Sequence, residues 1–379
     1  MTAKPVVALD IGWTKVACAI GLSHERTPGW ELLGSGVEPY PAPNDSGVPD
    51  PLVVARAIEA AIDATGVTAE LTRALVCLSH PALQSERVRA AVPIADEPVA
   101  VKARDVARLR TAALNQSLAI DRDVLHMECL GYAGNGFARV GDPRGLCATR
   151  LQGDFLLVTM PVAVRRTLLE AVESVGLEAL DVRYAPAAAL AGAADERSAG
   201  GRVLVIDLGG LSIDLAVFEA GVLTACRVEP WGGVSLARDL ARELDVTLEQ
   251  ATASIREGTA SREERVRAHL DAAWARLEEG IRTVLGGEPK PDLVLVAGRA
   301  ALMDGFVEWV ERTLGIPTAL CRSPRTHRSA DLSRQLALCP AIGLLELASR
   351  PRAGAALASP GGPLGRVLER AKAVLVEYF

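Results

Sequence analysis

Apolar residues run almost without a break through residues 6–22, VVALDIGWTKVACAIGL, and the run turns at Gly12-Trp13. Two β-rich runs flanking a glycine-bearing turn predict a hairpin. The pattern returns at residues 202–219, RVLVIDLGGLSIDLAVFE, where a buried strand again ends in Asp-x-Gly, turns and continues as a second apolar strand. Gly221 then leads into a third strand, VLTACRVEPW. One supersecondary unit at two distant positions predicts a duplicated α/β architecture of two lobes, each opening on an Asp-x-Gly hairpin.

Helical spacing fills much of the remainder. Residues 51–65 place Leu52, Ala55, Ile58 and Ile62 on one face; residues 162–175 do the same with Val164, Leu168, Val172 and Val175. In residues 266–285, Val266, Leu270, Trp274, Leu277, Ile281 and Val284 recur at spacings of three and four. LVLVAG at 293–298 reads as a short buried strand, followed by a helix over 300–314. Between residues 85 and 160 the pattern changes to short strands (RVRAAVPI, DVLHMECLGYA, DFLLVTM) around one helix, 103–117. A structureless loop of that length is improbable, so an inserted α/β module is expected. The predicted organisation is a first lobe at 1–84 and 161–198, an inserted subdomain at 85–160, and a second lobe at 199–345 with a shortened upper part. Residues 346–363, rich in Ala, Gly, Ser and Pro, read as a flexible linker. In the last segment, 364–379, Leu364, Val367, Leu368, Ala371, Val374, Leu375 and Phe379 form one apolar stripe beside Arg366, Arg370 and Lys372. That pattern predicts an amphipathic helix lying in a membrane interface.

Composition narrows the class. The chain has 379 residues, more than one compact core holds, in keeping with two lobes and an insertion. Lys and Arg number 41 against 47 Asp and Glu, a formal charge of −6, which leaves no electrostatic footprint for nucleic acid. Seven scattered cysteines without a CxxC exclude a disulfide framework and an obvious zinc site, and point to a reducing compartment. The amino-terminal segment meets an acidic residue too early for a signal peptide, and no apolar run approaches the roughly 20 residues of a membrane-spanning helix. His126 on an apolar strand and His80 before Pro81 read as structural, and no G-x-S-x-G nucleophile elbow is present.

The two hairpins together carry the candidate chemistry. A glycine after a strand lets backbone N–H groups approach phosphate oxygens closely, which Gly12, Gly209 and Gly210 would permit. Thr14 and Ser212 each add a hydroxyl, and Lys15 can offset phosphate charge. Asp10 and Asp207, at the two strand ends, can hold the water shell of a Mg²⁺ ion bridging phosphates. The strand ending at Gly298 and the following Arg299 could place backbone beside an adenine or a ribose.

On these residues the chain resembles the actin/hexokinase/heat-shock ATPase superfamily and, within it, the FtsA family of bacterial cell-division proteins. ALDIGWTKVACAIG is similar to that family's first phosphate motif and DLGGLSIDLAVFEAG to its second. PWGGVSLARDLA, with Gly232 and Gly233, resembles the following glycine pair and helix, and SIREG, with Arg256, the next helix and its basic residue. YAPAAALAGAADE and LALCPAIGLLELA resemble the helices that join the lobes; VPIADEPVAVKARDVARL, DRDVLH and DPRGL resemble the family's extra subdomain. The sequence departs from the family at Trp13, Leu211-Ser212 and Ala297, and at Val234, Ala237 and Ala253, and residues 234–290 are few for a full upper subdomain. The resemblance implies ATP with Mg²⁺ between the lobes, with Trp13 and Leu211 in the phosphate turns, and at most slow hydrolysis. It also implies FtsZ and other division proteins as partners, self-association into filaments, and peripheral attachment at the cytoplasmic face of the inner membrane at the division site. Two other members of the superfamily stay open: the cytoplasmic ATP-binding protein of type IV pilus assembly, and a small-molecule kinase.

Overall fold

A computed structural model describes residues 4–23, 29–41, 50–193, 198, 200–256, 264–326 and 331–349. The first lobe opens with an antiparallel meander of β1 (Pro5–Ile11), β2 (Lys15–Ser23) and β3 (Trp30–Pro39). Its first strand is buried from Val7 to Ile11, as a strand covered on both faces requires. Helix α1 (Pro51–Asp63) starts where the Asp50 carboxylate accepts the Leu52 N–H at 2.9 Å, with proline as the first helical residue. β4 (Arg73–Leu78) then pairs in parallel with β1.

The chain next leaves the lobe. β5 (Gln84–Pro93), β6 (Val99–Ala100), α2 (Ala103–Ser117), β7 (Arg122–Gly134), β8 (Phe137–Val140), β9 (Cys147–Ala148) and β10 (Arg150–Pro161) form a separate sheet in the order β5-β10-β7-β8, with β6 and β9 as a small pair. This unit has its own core of Val88, Leu109, Tyr132, Phe155 and Leu157. Gln84 pairs with Thr159, so the excursion departs and returns at one place. α3 (Val162–Ser174) and β11 (Glu178–Tyr184) complete the first sheet, β11-β4-β1-β2-β3, and α4 (Ala185–Ala193) follows.

The second lobe repeats the plan. β12 (Arg202–Leu208), β13 (Ile213–Glu219) and β14 (Val222–Glu229) form the meander; α5 (Gly233–Leu244), α6 (Leu248–Arg256) and α7 (Glu264–Leu285) follow. β15 (Leu293–Ala297), α8 (Phe306–Leu314), β16 (Thr318–Leu320) and α9 (Leu332–Ser349) close the described chain. The sheet order is β16-β15-β12-β13-β14, the order of the first sheet with its two parallel strands on the same side of the meander.

Two helices cross between the lobes. α4 touches β12, β13 and β15 of the second sheet, and α9 lies against β1, β2, β3 and β4 of the first. They approach at glycine: a Cβ on Gly192 would lie 2.1 Å from the Cys339 carbonyl oxygen, and one on Gly343 would lie 1.7 Å from that of Ala188.

Two expectations shift. The helix expected over 300–314 is instead a 3-10 turn, Arg299–Leu302, followed by α8, because Gly305 adopts the left-handed conformation at φ 75° and restarts the helix. The first four residues of the expected linker are helical: α9 continues to Ser349, and Arg325 donates to the Glu346 carboxylate at 2.9 Å. Residues 350–379, and with them the rest of the linker and the terminal apolar stripe, lie outside the described residues. No described helix is long and apolar enough to cross a membrane.

Candidate functional site

The two Asp-x-Gly hairpins face each other across the cleft between the lobes. Each is closed the same way: the Gly12 N–H donates to Lys15 O and the Gly209 N–H to Ser212 O, both at 3.0 Å. The strand registers also correspond, Asp10 lying opposite Ala17 and Asp207 opposite Asp214. A cavity of about 220 Å³ between them brings together Asp10, Gly12, Trp13, Thr14, Lys15, Asp207, Gly209, Gly210, Ser212, Gly233, Gly298 and Arg299. Leu211 sits in the β12–β13 turn and Gly232 just before α5, neither lining the cavity. Arg256 ends α6, and its side chain lies outside the described residues.

In the first lobe, Asp10 at the end of β1 is buried and bound at 2.5 Å to the Lys15 ammonium. Lys15 also reaches Ala337 O in α9 at 3.5 Å, so its charge is held inside the fold. The Tyr40 hydroxyl donates to Gly12 O, and the Tyr40 N–H to Thr14 O at 3.1 Å, which fixes the turn from β3. Burial, with Asp10 nearby, pushes the Tyr40 phenol well above its ordinary range. Trp13 is buried at the tip with its ring centroid 4.7 Å from that of His80, and its indole N–H has no hydrogen-bond partner among the described residues.

The second lobe is more acidic. Burial, and then the Asp214 and Asp10 charges, push the Asp207 carboxyl up to about 7. Burial likewise raises Asp214 to about 6, with the Ser79, Tyr184 and Ser212 hydroxyls pulling the other way. Like charges opposite one another on adjacent strands repel, and desolvation adds to the cost of ionising both. Ser79, just past β4, donates to Asp214 Oδ2 and lies 3.2 Å from Ser212 Oγ, so it spans the cleft. Arg299 also spans it, donating to Thr14 Oγ1 at 3.4 Å. The start of α5 is bonded to the second turn, Gly233 N–H to Gly209 O at 3.0 Å and Val234 N–H to Gly210 O at 2.8 Å. A Cβ on Gly232 would lie 2.5 Å from Gly209 O, so only glycine permits that approach.

Asp214 and Ser79 are the residues that sequence reasoning missed. Asp214 was within reach, since counting back across the Gly209–Ser212 turn sets it opposite Asp207. Ser79 carried no signal, because only the parallel pairing of β4 with β1 brings it to the cleft.

The site fits a magnesium-bound phosphate chain. Asp214 Oδ1 is buried without a hydrogen bond of ordinary geometry, and the carboxylates of Asp10, Asp207 and Asp214 converge where a cation would relieve their repulsion. Gly298, at φ 82°, lets the end of β15 approach β12 closely, since a Cβ there would lie 2.1 Å from Leu208 O. Among the described residues no cluster of three or more His, Cys, Asp or Glu could hold a metal ion.

Comparison with known proteins places this geometry. Residues 81–159 match the family described as the SHS2 domain inserted in FTSA. The cell-division protein FtsA of Bacillus subtilis (strain 168) is 27% identical over 249 residues, 65% of this chain and 56% of that protein. The chain is related to FtsA. FtsA of Escherichia coli (strain K12) is 29% identical over 244 residues, 63% of this chain and 56% of its own length. The chain thus matches little more than half the length of these FtsA relatives. Among solved structures, the PilM-PilN type IV pilus biogenesis complex aligns over 91% of this chain and 99% of that one at a TM-score of 0.69 and 18% identity. MreB5 of Spiroplasma citri bound to ADP aligns over 91% and 97% at a TM-score of 0.51 and 12% identity. The fold is the two-lobed, actin-like one with an inserted subdomain, and the chain is an FtsA-like member of it.

Proposed function

We propose that this protein is an ATP-binding scaffold of bacterial cell division. In this reading it holds the FtsZ ring at the cytoplasmic face of the inner membrane, recruits later division proteins and self-associates into filaments. The observation that carries the reading is the match to the SHS2 domain inserted in FTSA within an actin-like fold whose cleft brings the two Asp-x-Gly hairpins together. The backbones at Gly12–Thr14 and Gly209–Ser212 would hold the phosphates, with Gly232 and Gly233 keeping α5 close behind the second turn. Asp10 and Asp207 would face the hydrated Mg²⁺, and Gly298 and Arg299 the nucleoside. Bound Mg²⁺ supplies the positive charge that makes an ionised Asp207 tolerable in this cleft.

Calorimetry with Mg-ATP tests the cleft. Asp207→Ala is expected to weaken binding at least tenfold, and an absence of heat with wild type at millimolar ATP would make the cleft a relic. Attachment is tested by flotation on anionic liposomes, comparing the full chain with one ending at Pro363. Loss of flotation on truncation is expected, since the apolar stripe Leu364, Val367, Leu368, Ala371, Val374, Leu375 and Phe379 would supply most of the affinity.

A second reading, a cytoplasmic protein of type IV pilus assembly, is favoured by one observation: the PilM chain is matched over 99% of its length, although at 18% identity. Co-sedimentation separates the two. The division reading expects the chain to pellet with FtsZ filaments, and the pilus reading expects it to stay in the supernatant.

A further inference from the structure

A larger cavity, of about 910 Å³, opens between the inserted subdomain and the edge of the second-lobe sheet. Its walls come from β5, β7 and β8 on one side and from β14 and the end of α7 on the other. Arg87, Arg139, Arg202 and Arg227 line it, against Glu219 and Glu288. Arg202 is engaged by Glu219 at 2.6 Å, and Arg227 by Glu229 at 2.5 Å. Arg87 and Arg139 are exposed and have no carboxylate partner among the described residues; Arg87 donates only to the neutral Thr224 carbonyl, at 3.0 Å. On a chain with a formal charge of −6, this excess of positive charge is local.

Backbone geometry adds to the charge. β14 is the outer strand of its sheet, and its outward carbonyls at Thr224 and Cys226 accept from the Arg87 and Ser85 side chains, the latter at 2.6 Å, which fixes Arg87 at the cavity wall. Arg139 holds φ 51°, a left-handed conformation that costs a non-glycine residue roughly 1 kcal/mol. It stands where the β7–β8 register slips, between the Tyr132 and Gly134 pairs, and such irregularities redirect a side chain.

We propose that this cleft docks an extended acidic segment of a partner protein, with carboxylates on Arg87 and Arg139. An extended segment fits better than a compact anion, because the two arginines come from different strands, β5 and β8, of a cavity of about 910 Å³. Occupancy adds to a contact that the inserted subdomain and the second lobe already share through Leu125, Leu156, Leu223 and Cys226. The site is separate from the interlobe cleft and does not depend on the division reading.

The test is fluorescence anisotropy of the full chain with a labelled ten-residue peptide of alternating Glu and Thr, against a twin of alternating Lys and Thr. The acidic peptide is expected to bind and the basic twin not. Charge reversal in Arg87→Glu with Arg139→Glu is expected to weaken binding about tenfold, with an unchanged circular-dichroism spectrum. Hydrogen exchange is expected to slow in residues 222–229 on peptide addition. Equal binding of both peptides, indifference to the double reversal, or no binding at 1 mM peptide would each overturn the proposal. Displacement of the peptide by inorganic phosphate at micromolar concentration would overturn it in favour of a small-anion site.

Discussion

Asp207 and Asp214 share one face of the β12–β13 hairpin, and both hold their protons more tightly folded than unfolded, at about 7 and about 6 against an ordinary 3.8. A carboxyl raised in this way contributes stability that is complete below about pH 4 and is lost as the pH climbs through about 7. Asp207→Asn cannot ionise, so the nucleotide-free variant is expected to gain stability relative to wild type between pH 5 and pH 8. Urea unfolding at the two pH values reads this difference, and a variant that loses ground instead would contradict the raised Asp207 carboxyl. On the proposed reading, in which Asp207 faces the hydrated Mg²⁺ as a carboxylate, Mg-ATP is expected to bind wild type more tightly at pH 8 than at pH 6. Gly298 gives a second residue-scale prediction. Gly298→Ala must place a Cβ at φ 82° and 2.1 Å from Leu208 O, at an expected loss of about 1–3 kcal/mol in thermal unfolding. Gly141→Ala, into open space at an ordinary φ, is expected to stay within about 0.5 kcal/mol of wild type. Asp10, Gly12, Asp207 and Gly209 were legible in the sequence because each lies in a short strand–turn pattern that occurs twice. Ser79 was not, since its approach to Asp214 spans 135 positions and depends on closure of the two lobes.

The elements legible in sequence were those whose apolar spacing fixes both ends. α2 spans Ala103–Ser117 as its periodicity requires, and α7 starts within two residues of position 266. The segment over 300–314 was misread because its apolar spacing continues across Gly305, whose left-handed backbone ends any helix there. Residues 346–349 were misread because composition alone says little about Glu346, which continues α9 and pairs with Arg325. The α4–α9 crossing supplies a prediction at this scale. Gly343→Ala drives a Cβ to within 1.7 Å of the Ala188 carbonyl, and since both atoms belong to helix backbones, neither side can rotate away. The expected cost is about 1–3 kcal/mol, read as a fall in the thermal midpoint. An unchanged midpoint would show that the helices separate with ease.

At the scale of the molecule, the inserted subdomain is a detachable part. Ser85 pairs with Val158 across β5 and β10, and the core around Leu109 and Phe155 belongs to the insertion alone. Replacing residues 86–157 by a short Gly-containing turn is expected to leave one cooperative thermal transition at a lower midpoint, because Leu125 and Leu156 also pack against the first lobe. Loss of any transition would show that the lobe needs the insertion in order to fold.

The glycine contact between α4 and α9 also decides how the lobes can move. Helices that meet backbone to backbone have no flexible side chains between them to absorb a displacement, so the contact holds its spacing when the lobes shift. The crossing is expected to act as a pivot. Opening of the cleft would change distances at the Ser79–Asp214 rim by the largest amount and leave the Gly192–Gly343 neighbourhood almost still, as the rim of a hinged lid travels while its pin does not.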